Sequence, residues 1–341
     1  MTSELSAPRT VPTLESVAER AGVSRSTASR AINGDARVSP QARSAVEEAV
    51  AALGYSPNRA ARSLVLRRTD SVALVIPEPD ERVLNDPFFA GTLRGLTAAL
   101  EDDDIQLVLM ITRPGQADRS MRYLRNGHVD GAVVVSHHLE DALDRALVDS
   151  HVPNVFVGRP LSAVATGLQY VDIDNVAGGR LATEHLVARG CRRIGTIAGP
   201  ADMSAGIDRL AGFRRALAAA GLPVDAVEHG DFTLDSGAAA ARRLLAAHPD
   251  LDGIFVASDL MAAGALPVLA AAGRRVPDDV AVVGYDNLGV SASTQPPLTT
   301  VVQPVPAMAQ AAGRRLLDLL RGGPAQEPLI FSPELVVRAS A

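Results

Sequence analysis

Two arginines five positions apart, Arg25 and Arg30, stand among Ser24, Ser26, Thr27, Ser29 and Asn33. That set suits a nucleic-acid duplex: a guanidinium presents paired donors to a base edge, and short polar side chains donate to phosphate oxygens at close range. A second set is spread over the rest of the chain: Asp86, Phe88, Ser136, Arg159, Asp174, Met203, Arg209, Phe232, Ser258 and Asp286. Carboxylates, arginines and an aromatic face suit a polyhydroxylated ligand, whose hydroxyl pairs take bidentate polar groups and whose C–H face takes a ring. The chain has no Gly-x-Gly-x-x-Gly after its first apolar run, no P-loop, no Gly-x-Ser-x-Gly and no His or Cys cluster with metal spacing. An enzyme is therefore not expected, nor is a metal or cofactor.

The first set needs a helix to present it. Leu14, Val17, Ala18 and Ala21 recur at helical spacing and predict a short amphipathic helix opened by Thr13. Gly22 permits a sharp turn, Val23 packs between helices, and Ser24 caps a second helix with Ala28, Ala31 and Ile32 inward and the arginines outward. This is a helix-turn-helix pattern whose second helix would read the major groove. Ser39-Pro40 opens a third helix, lined inside by Val46, Ala49, Val50 and Leu53 and ended by Gly54. The following run, Tyr55 to Leu64, is too short and polar for a stable isolated helix.

Charge is segregated along the chain. The formal net charge is −6 over 341 residues, yet residues 9 to 68 hold ten arginines against five acids, so the remainder is strongly acidic. A basic module on an acidic body is the asymmetry of a DNA-binding head on a sensor. One cysteine, Cys191, rules out an intramolecular disulfide framework. Met1 to Pro12 has no apolar segment of signal-peptide length, and no stretch has the length of a membrane span, so a cytoplasmic protein with no membrane partner is expected.

The second set needs converging loops. From Ser71 the chain alternates apolar runs, Val72–Ile76, Ile105–Ile111, Ala132–Val135, Val155–Val157, Ile194–Ala198, Gly253–Val256 and Val280–Val283, with amphipathic helical stretches such as Phe88 to Glu101. Alternating buried strands and helices imply parallel sheets. More than 260 residues is long for one open sheet, which points to two lobes and a cleft. Ligands of such lobes sit at the carboxyl ends of strands, and the second set is read from those ends.

The run Thr13 to Asn33, the Val38-Ser39-Pro40 turn, Leu53-Gly54-Tyr55-Ser56-Pro57-Asn58 and the ending Ala61-x-x-Leu64 resemble the LacI/GalR family of bacterial transcription repressors. The resemblance extends from about residue 11 to 338. It implies an all-α helix-turn-helix head at 11–56, a hinge helix at 57–68 and, at 69–341, a two-lobed α/β sensor similar to periplasmic sugar-binding proteins. The chain would enter the second lobe near 160–175, return near 288–300 and cross again near 325–333. It implies a dimeric repressor of carbohydrate-use genes on a pseudo-palindromic operator, controlled by a sugar or sugar phosphate in the cleft. Leu14, Ser24, Arg25, Ser26, Thr27, Ser29, Arg30, Asn33, Asn58, Ala61 and Leu64 would contact DNA, with Leu64 prying open a minor-groove base step. Arg209, Phe232 and Asp286 match effector-contacting positions. Family members that bind purines carry polar residues where this chain has Met203 and Ala205, and Ser258 stands where asparagine is frequent. A sugar is thus the expected effector. A C-terminus without a heptad repeat leads to the expectation of a dimer rather than a tetramer. A cytosolic sugar-binding or sugar-processing protein, or a periplasmic binding protein, would lack specific, salt-sensitive DNA binding.

Overall fold

The structure, a computed structural model, describes residues 12–55, 68–113, 116–139, 146–147, 150–161 and 168–341. The chain divides into two compact units at Thr69. The expected contacts at Asn58, Ala61 and Leu64 lie outside the described residues.

In the first unit, α1 (Leu14–Arg20), α2 (Arg25–Ile32) and α3 (Pro40–Leu53) each begin on a hydroxyl. Thr13 and Ser16 form a reciprocal capping box, Ser24 Oγ accepts from the Thr27 N–H at 3.1 Å, and Ser39 Oγ accepts from the Ala42 N–H at 3.3 Å. These caps satisfy N–H groups that the helix itself leaves without partners. Gly22 and Gly54 adopt φ of +64° and +60°, where a Cβ would be strained, so the α1–α2 turn and the end of α3 fall on glycines. Val17, Ala18, Ala28, Val46 and Ala49 form the buried centre, with Leu14, Ala21, Val23, Ala31, Ile32, Val50 and Leu53 packed around it.

The second unit holds two lobes. Lobe one contains β1 (Ser71–Ile76), α4 (Asp80–Asn85), α5 (Pro87–Ala99), β2 (Gln106–Ile111), α6 (Ala117–Arg125), β3 (Gly131–Val135), β4 (Asn154–Val157) and β5 (Tyr170–Ile173). Lobe two contains α7 (Asn175–Ala188), β6 (Ile194–Ala198), α8 (Ser204–Ala219), β7 (Val227–His229), α9 (Leu234–Ala247), β8 (Gly253–Val256), α10 (Asp259–Ala271), β9 (Ala281–Asp286), α11 (Gly289–Ser293) and β10 (Thr299–Val302). The chain then returns to lobe one as α12 (Val305–Leu320) and β11 (Leu329–Phe331), and ends in lobe two with β12 (Glu334–Val336).

The sheet orders are β2-β1-β3-β4-β5-β11 and β7-β6-β8-β9-β10-β12. All pairs are parallel except β10–β12. The unbroken apolar runs follow from burial on both faces. Along β1, Val72, Leu74 and Ile76 enter one core with Phe89, Leu96 and Met308, while Ala73 and Val75 enter another with Met121 and Leu124. The second lobe divides its strands the same way, Ile197, Ile254 and Val282 on one side and Ile194, Phe255 and Val283 on the other.

The first crossing falls between Ile173 and Asn175 and the third between Phe331 and Glu334, both inside their expected windows. The second is corrected: β10 still belongs to lobe two, so the chain returns at Gln303-Pro304 rather than 288–300. Thr299 and Thr300 interrupt the apolar pattern that would have marked this strand. In each sheet the strand order reverses beside the first strand of its lobe, at β1/β3 and at β6/β8. Those reversals open crevices at the strands' carboxyl ends, and both lobes turn them toward one cleft. Among the described residues no helix is long and apolar enough to cross a membrane.

Candidate functional site

On the first unit, α2 presents Arg25, Ser26 and Arg30 as exposed side chains, with Asn33 exposed just beyond its end. The face is pre-ordered. Ser24 Oγ lies 2.9 Å from both the Ser26 and the Thr27 hydroxyls, Arg30 Nε donates to Ser26 O at 3.2 Å, and Asn33 Nδ2 donates to Ser29 O at 2.9 Å. Arg25 is restrained by Glu15, at 2.9 Å across from α1. Leu14 is half-buried against the core of this unit.

The cleft of the second unit holds a cavity of about 700 Å³ including its mouth. Lobe one lines it with Arg82, Asp86, Phe88, Ser136, His137, Val157, Gly158 and Asp172, lobe two with Asn175, Met203, Ser204, Ala205, Arg209, Phe232, Ser258, Leu260 and Asp286, and Gln303 reaches it from the second crossing. Eight of the ten residues expected from strand ends are there.

Arg209 is the polar centre. Its Nε donates to Asn175 Oδ1 (2.9 Å), Nη1 to Ala257 O (2.6 Å) and Asp286 Oδ1 (3.2 Å), and Nη2 to Gln303 Oε1 (2.6 Å). Its guanidinium lies 3.6 Å from the centre of the Tyr285 ring, so charge, hydrogen bonds and π-face all fix one rotamer. The close approach that makes this possible is between α7 and α8. A Cβ at Gly179 would collide with the Arg209 carbonyl, so only glycine lets Asn175 and Arg209 meet. Burial pushes the Asp286 carboxyl well above the usual carboxylate range, against the opposing pull of Arg209. Burial likewise raises Asp86 and Asp172.

Asp86 caps α5 by accepting from the Phe88 N–H at 2.9 Å while its side chain faces the cavity. Ser258 caps α10 through the Met261 N–H at 3.2 Å. Phe232 sits at φ +69° with a ring edge against Gly199, where a Cβ would meet it. The Ser136 hydroxyl is committed to Glu78, donating to Oε1 at 2.7 Å.

Two expectations are corrected. Asp174 is exposed and caps α7, accepting from the Ala177 N–H at 2.8 Å, and the cavity takes Asp172 and Asn175 from either side of it. Arg159 does not line the cavity. It spans the lobes, pairing with Asp208 at 2.7 Å, and its neighbour Gly158 lines the cavity instead.

Sequence reasoning missed Arg82, His137, Asp172, Asn175, Leu260 and Gln303, and with them a buried hub at Glu78. One oxygen of Glu78, Oε1, accepts from Arg82 (2.6 Å), Ser136 (2.7 Å) and His138 (3.1 Å). Burial alone would raise this carboxyl, but His138, Arg82 and Ser136 outweigh it and hold it below its usual range. The Glu78 hydrogen bond, helped by Asp202, lifts His138 to about 9 against the cost of burial. His138 therefore carries both protons at neutral pH and donates from Nδ1 to Asp202 Oδ2 across the cleft at 2.8 Å. The Leu139 N–H joins it, donating to Asp202 O at 2.8 Å.

Residues 13–58 match the family described as bacterial regulatory proteins, lacI family, and residues 183–341 match the periplasmic binding protein-like domain. The HTH-type transcriptional regulator CelR of Thermobifida fusca is 50% identical over 334 residues, spanning 96% of this chain and 98% of its own. Among solved structures, a transcriptional regulator CelR–cellobiose complex is 48% identical with a TM-score of 0.78, over 97% of this chain and 100% of that one. A lac repressor dimer bound to operator and the anti-inducer ONPF is 28% identical with a TM-score of 0.86, over 97% of this chain and 99% of that one.

Proposed function

The chain belongs to the LacI family of bacterial transcriptional regulators, and from that premise we propose that it is a cytoplasmic repressor of carbohydrate-use genes whose effector is a neutral disaccharide of the cellobiose type. Two copies place α2 in successive major grooves of a pseudo-palindromic operator. Arg25 and Ser26 meet base edges, Arg30 meets base or phosphate, and Ser24, Thr27, Ser29 and Asn33 meet phosphates. Leu14, and Asn58, Ala61 and Leu64 of the hinge, complete the contact by position.

The observation that carries the effector class is the charge balance of the cavity. Arg82 and Arg209 are outnumbered by Asp86, Asp172 and Asp286, and both arginines are already paired with carboxylates. A phosphate would find each of these guanidinium groups already held by a carboxylate, Arg82 by Glu78 and Arg209 by Asp286, so a sugar phosphate is disfavoured. Hydroxyls find both donors and acceptors, and Phe88, Phe232, Met203 and Leu260 supply apolar faces. The bound cellobiose of the CelR relative agrees with this chemistry.

The test is fluorescence polarisation of palindromic and random duplexes at two salt concentrations, with and without cellobiose. The expected result is specific, salt-sensitive binding whose affinity changes about fivefold or more on adding the sugar. Equal binding of both duplexes would refute the DNA reading. An effect reproduced by a phosphorylated sugar and not by cellobiose would refute the effector class.

A further inference from the structure

Resting on the sugar reading of the cleft, we propose that His138 and Asp202 are positioning residues for the effector: their pairing sets the spacing of the cavity's two walls. Neither residue lines the cavity, so both act through their neighbours. His138 follows Ser136 and His137, which line it from lobe one, and Asp202 precedes Met203, Ser204 and Ala205, which line it from lobe two. The two segments leave the carboxyl ends of β3 and β6.

The tie is made twice. His138 Nδ1 donates to Asp202 Oδ2 at 2.8 Å, and the Leu139 N–H donates to the Asp202 carbonyl at 2.8 Å, so a change of rotamer at Asp202 does not undo it. On its other side the imidazole is moored in its own lobe. Nε2 reaches Glu78 Oε1 at 3.1 Å, and the same buried oxygen accepts from Ser136 and Arg82. Ser136 itself sits at φ +56°, a backbone conformation that a residue with a Cβ keeps only where its surroundings hold it. A ring bonded at both nitrogens thus carries the position of Glu78 in lobe one to Asp202 in lobe two.

The competing role is an ordinary surface pair, which contributes little, and the Asp202 side chain is 47% exposed. The two roles differ in what they couple to. A bond formed at one spacing of the lobes favours that spacing, and a sugar that touches both walls favours it too. Breaking the pair should therefore weaken the sugar. By linkage it should also move the sugar-free affinity for operator in the direction opposite to the one in which cellobiose moves it, whether cellobiose releases or recruits the operator. A surface pair would do neither.

The test uses the full chain as wild type, Asp202→Ala, His138→Gln and the double variant. Calorimetry reads cellobiose affinity, and fluorescence polarisation reads binding to a palindromic duplex with and without cellobiose. Cellobiose affinity should fall about three- to tenfold in each single variant, and the double variant should lie within about twofold of the weaker single. Sugar-free operator affinity should shift severalfold, opposite in sign to the cellobiose effect on the wild type. Asp202 lies in an exposed turn, so Asp202→Ala carries both readouts should His138→Gln fail to melt cooperatively. A variant that melts lower but keeps wild-type cellobiose affinity, losses that add in full in the double variant, or an operator shift of the same sign as cellobiose overturns the assignment and leaves the sugar reading intact. A wild type that does not bind cellobiose, or whose operator affinity cellobiose does not move, overturns both.

Discussion

Replacing Arg209 by methionine is the sharpest perturbation of the cleft. The residue is 3% exposed, and its side chain donates to Asn175, Ala257, Asp286 and Gln303. Methionine fills similar space but strands those acceptors and leaves Asp286 buried without its counter-charge. Breaking a buried pair from one side costs about 3–5 kcal/mol. For a unit of this size that lowers the melting midpoint by about 6–20 °C. The sign of the pH dependence follows from Asp286. Its folded carboxyl already binds a proton more tightly than an unfolded one because burial disfavours the anion. Without Arg209 that preference grows, so the deficit should be smaller at pH 5, where protonation is easy, than at pH 8. Adding Asp286→Asn removes the orphan charge and should restore about 1–3 kcal/mol, yet sugar binding should stay lost, since both groups line the cavity. The assays are thermal melting of the full chain and calorimetry with cellobiose. A single variant melting within about 1 °C of wild type, or a double variant that recovers sugar affinity, would refute the assignment of Arg209 as the cleft's polar centre.

Three further outcomes follow from other residues. His138, raised from 6.5 to about 9, contributes stability that is fully present below pH 6.5 and lost as pH rises through 9. The melting difference between wild type and His138→Gln should therefore correspond to about 1–3 kcal/mol near pH 6, discounted for partial exposure, and vanish by pH 10; a difference flat across that range would contradict the cross-lobe pairing. Asp174→Ala should cost about 0.5–2 kcal/mol of stability as a lost helix cap and leave cellobiose affinity untouched, and a change in affinity would return Asp174 to the site. Arg25→Ala should flatten base preference by about 1–3 kcal/mol at one position per half-site with little change in the salt slope of binding, whereas a reduced slope with unchanged preference would make Arg25 a phosphate contact.

The head was legible because each of its determinants is local. Caps, glycine turns and 3.6-residue periodicity all lie within a few positions of what they control, and Val17, Ala18, Ala28, Val46 and Ala49 meet as the pattern required. The sheets were legible where strands are buried on both faces and so read as continuous apolar runs. They were not where polarity interrupts the run, as at Thr299-Thr300-Val301-Val302. Missing β10 hid Gln303, which stands just past its end. Reading the end of β5 by position alone chose Asp174, whereas the cavity takes Asp172 and Asn175. Arg82 escaped for another reason: α4 has six residues and follows Pro77 and Pro79, so it reads as loop.

What no local rule could show is the pairing of lobes. Glu78, His138 and Asp202 are up to 124 positions apart in sequence, and their types alone suggest three solvated groups. In the fold, Glu78 Oε1 is shared by Arg82, which faces the ligand space, and by His138, which reaches across to Asp202. The His138–Asp202 and Arg159–Asp208 pairs bridge the cleft from lobe to lobe. A ligand shifts the lobes only by the difference in its affinity for their arrangements. A sugar in the cavity meets lining residues of both lobes, Phe88 from one and Phe232 from the other, at once only when these are close. A coupling of about 1–3 kcal/mol between cavity occupancy and the arrangement of the lobes is enough to change operator occupancy severalfold or more.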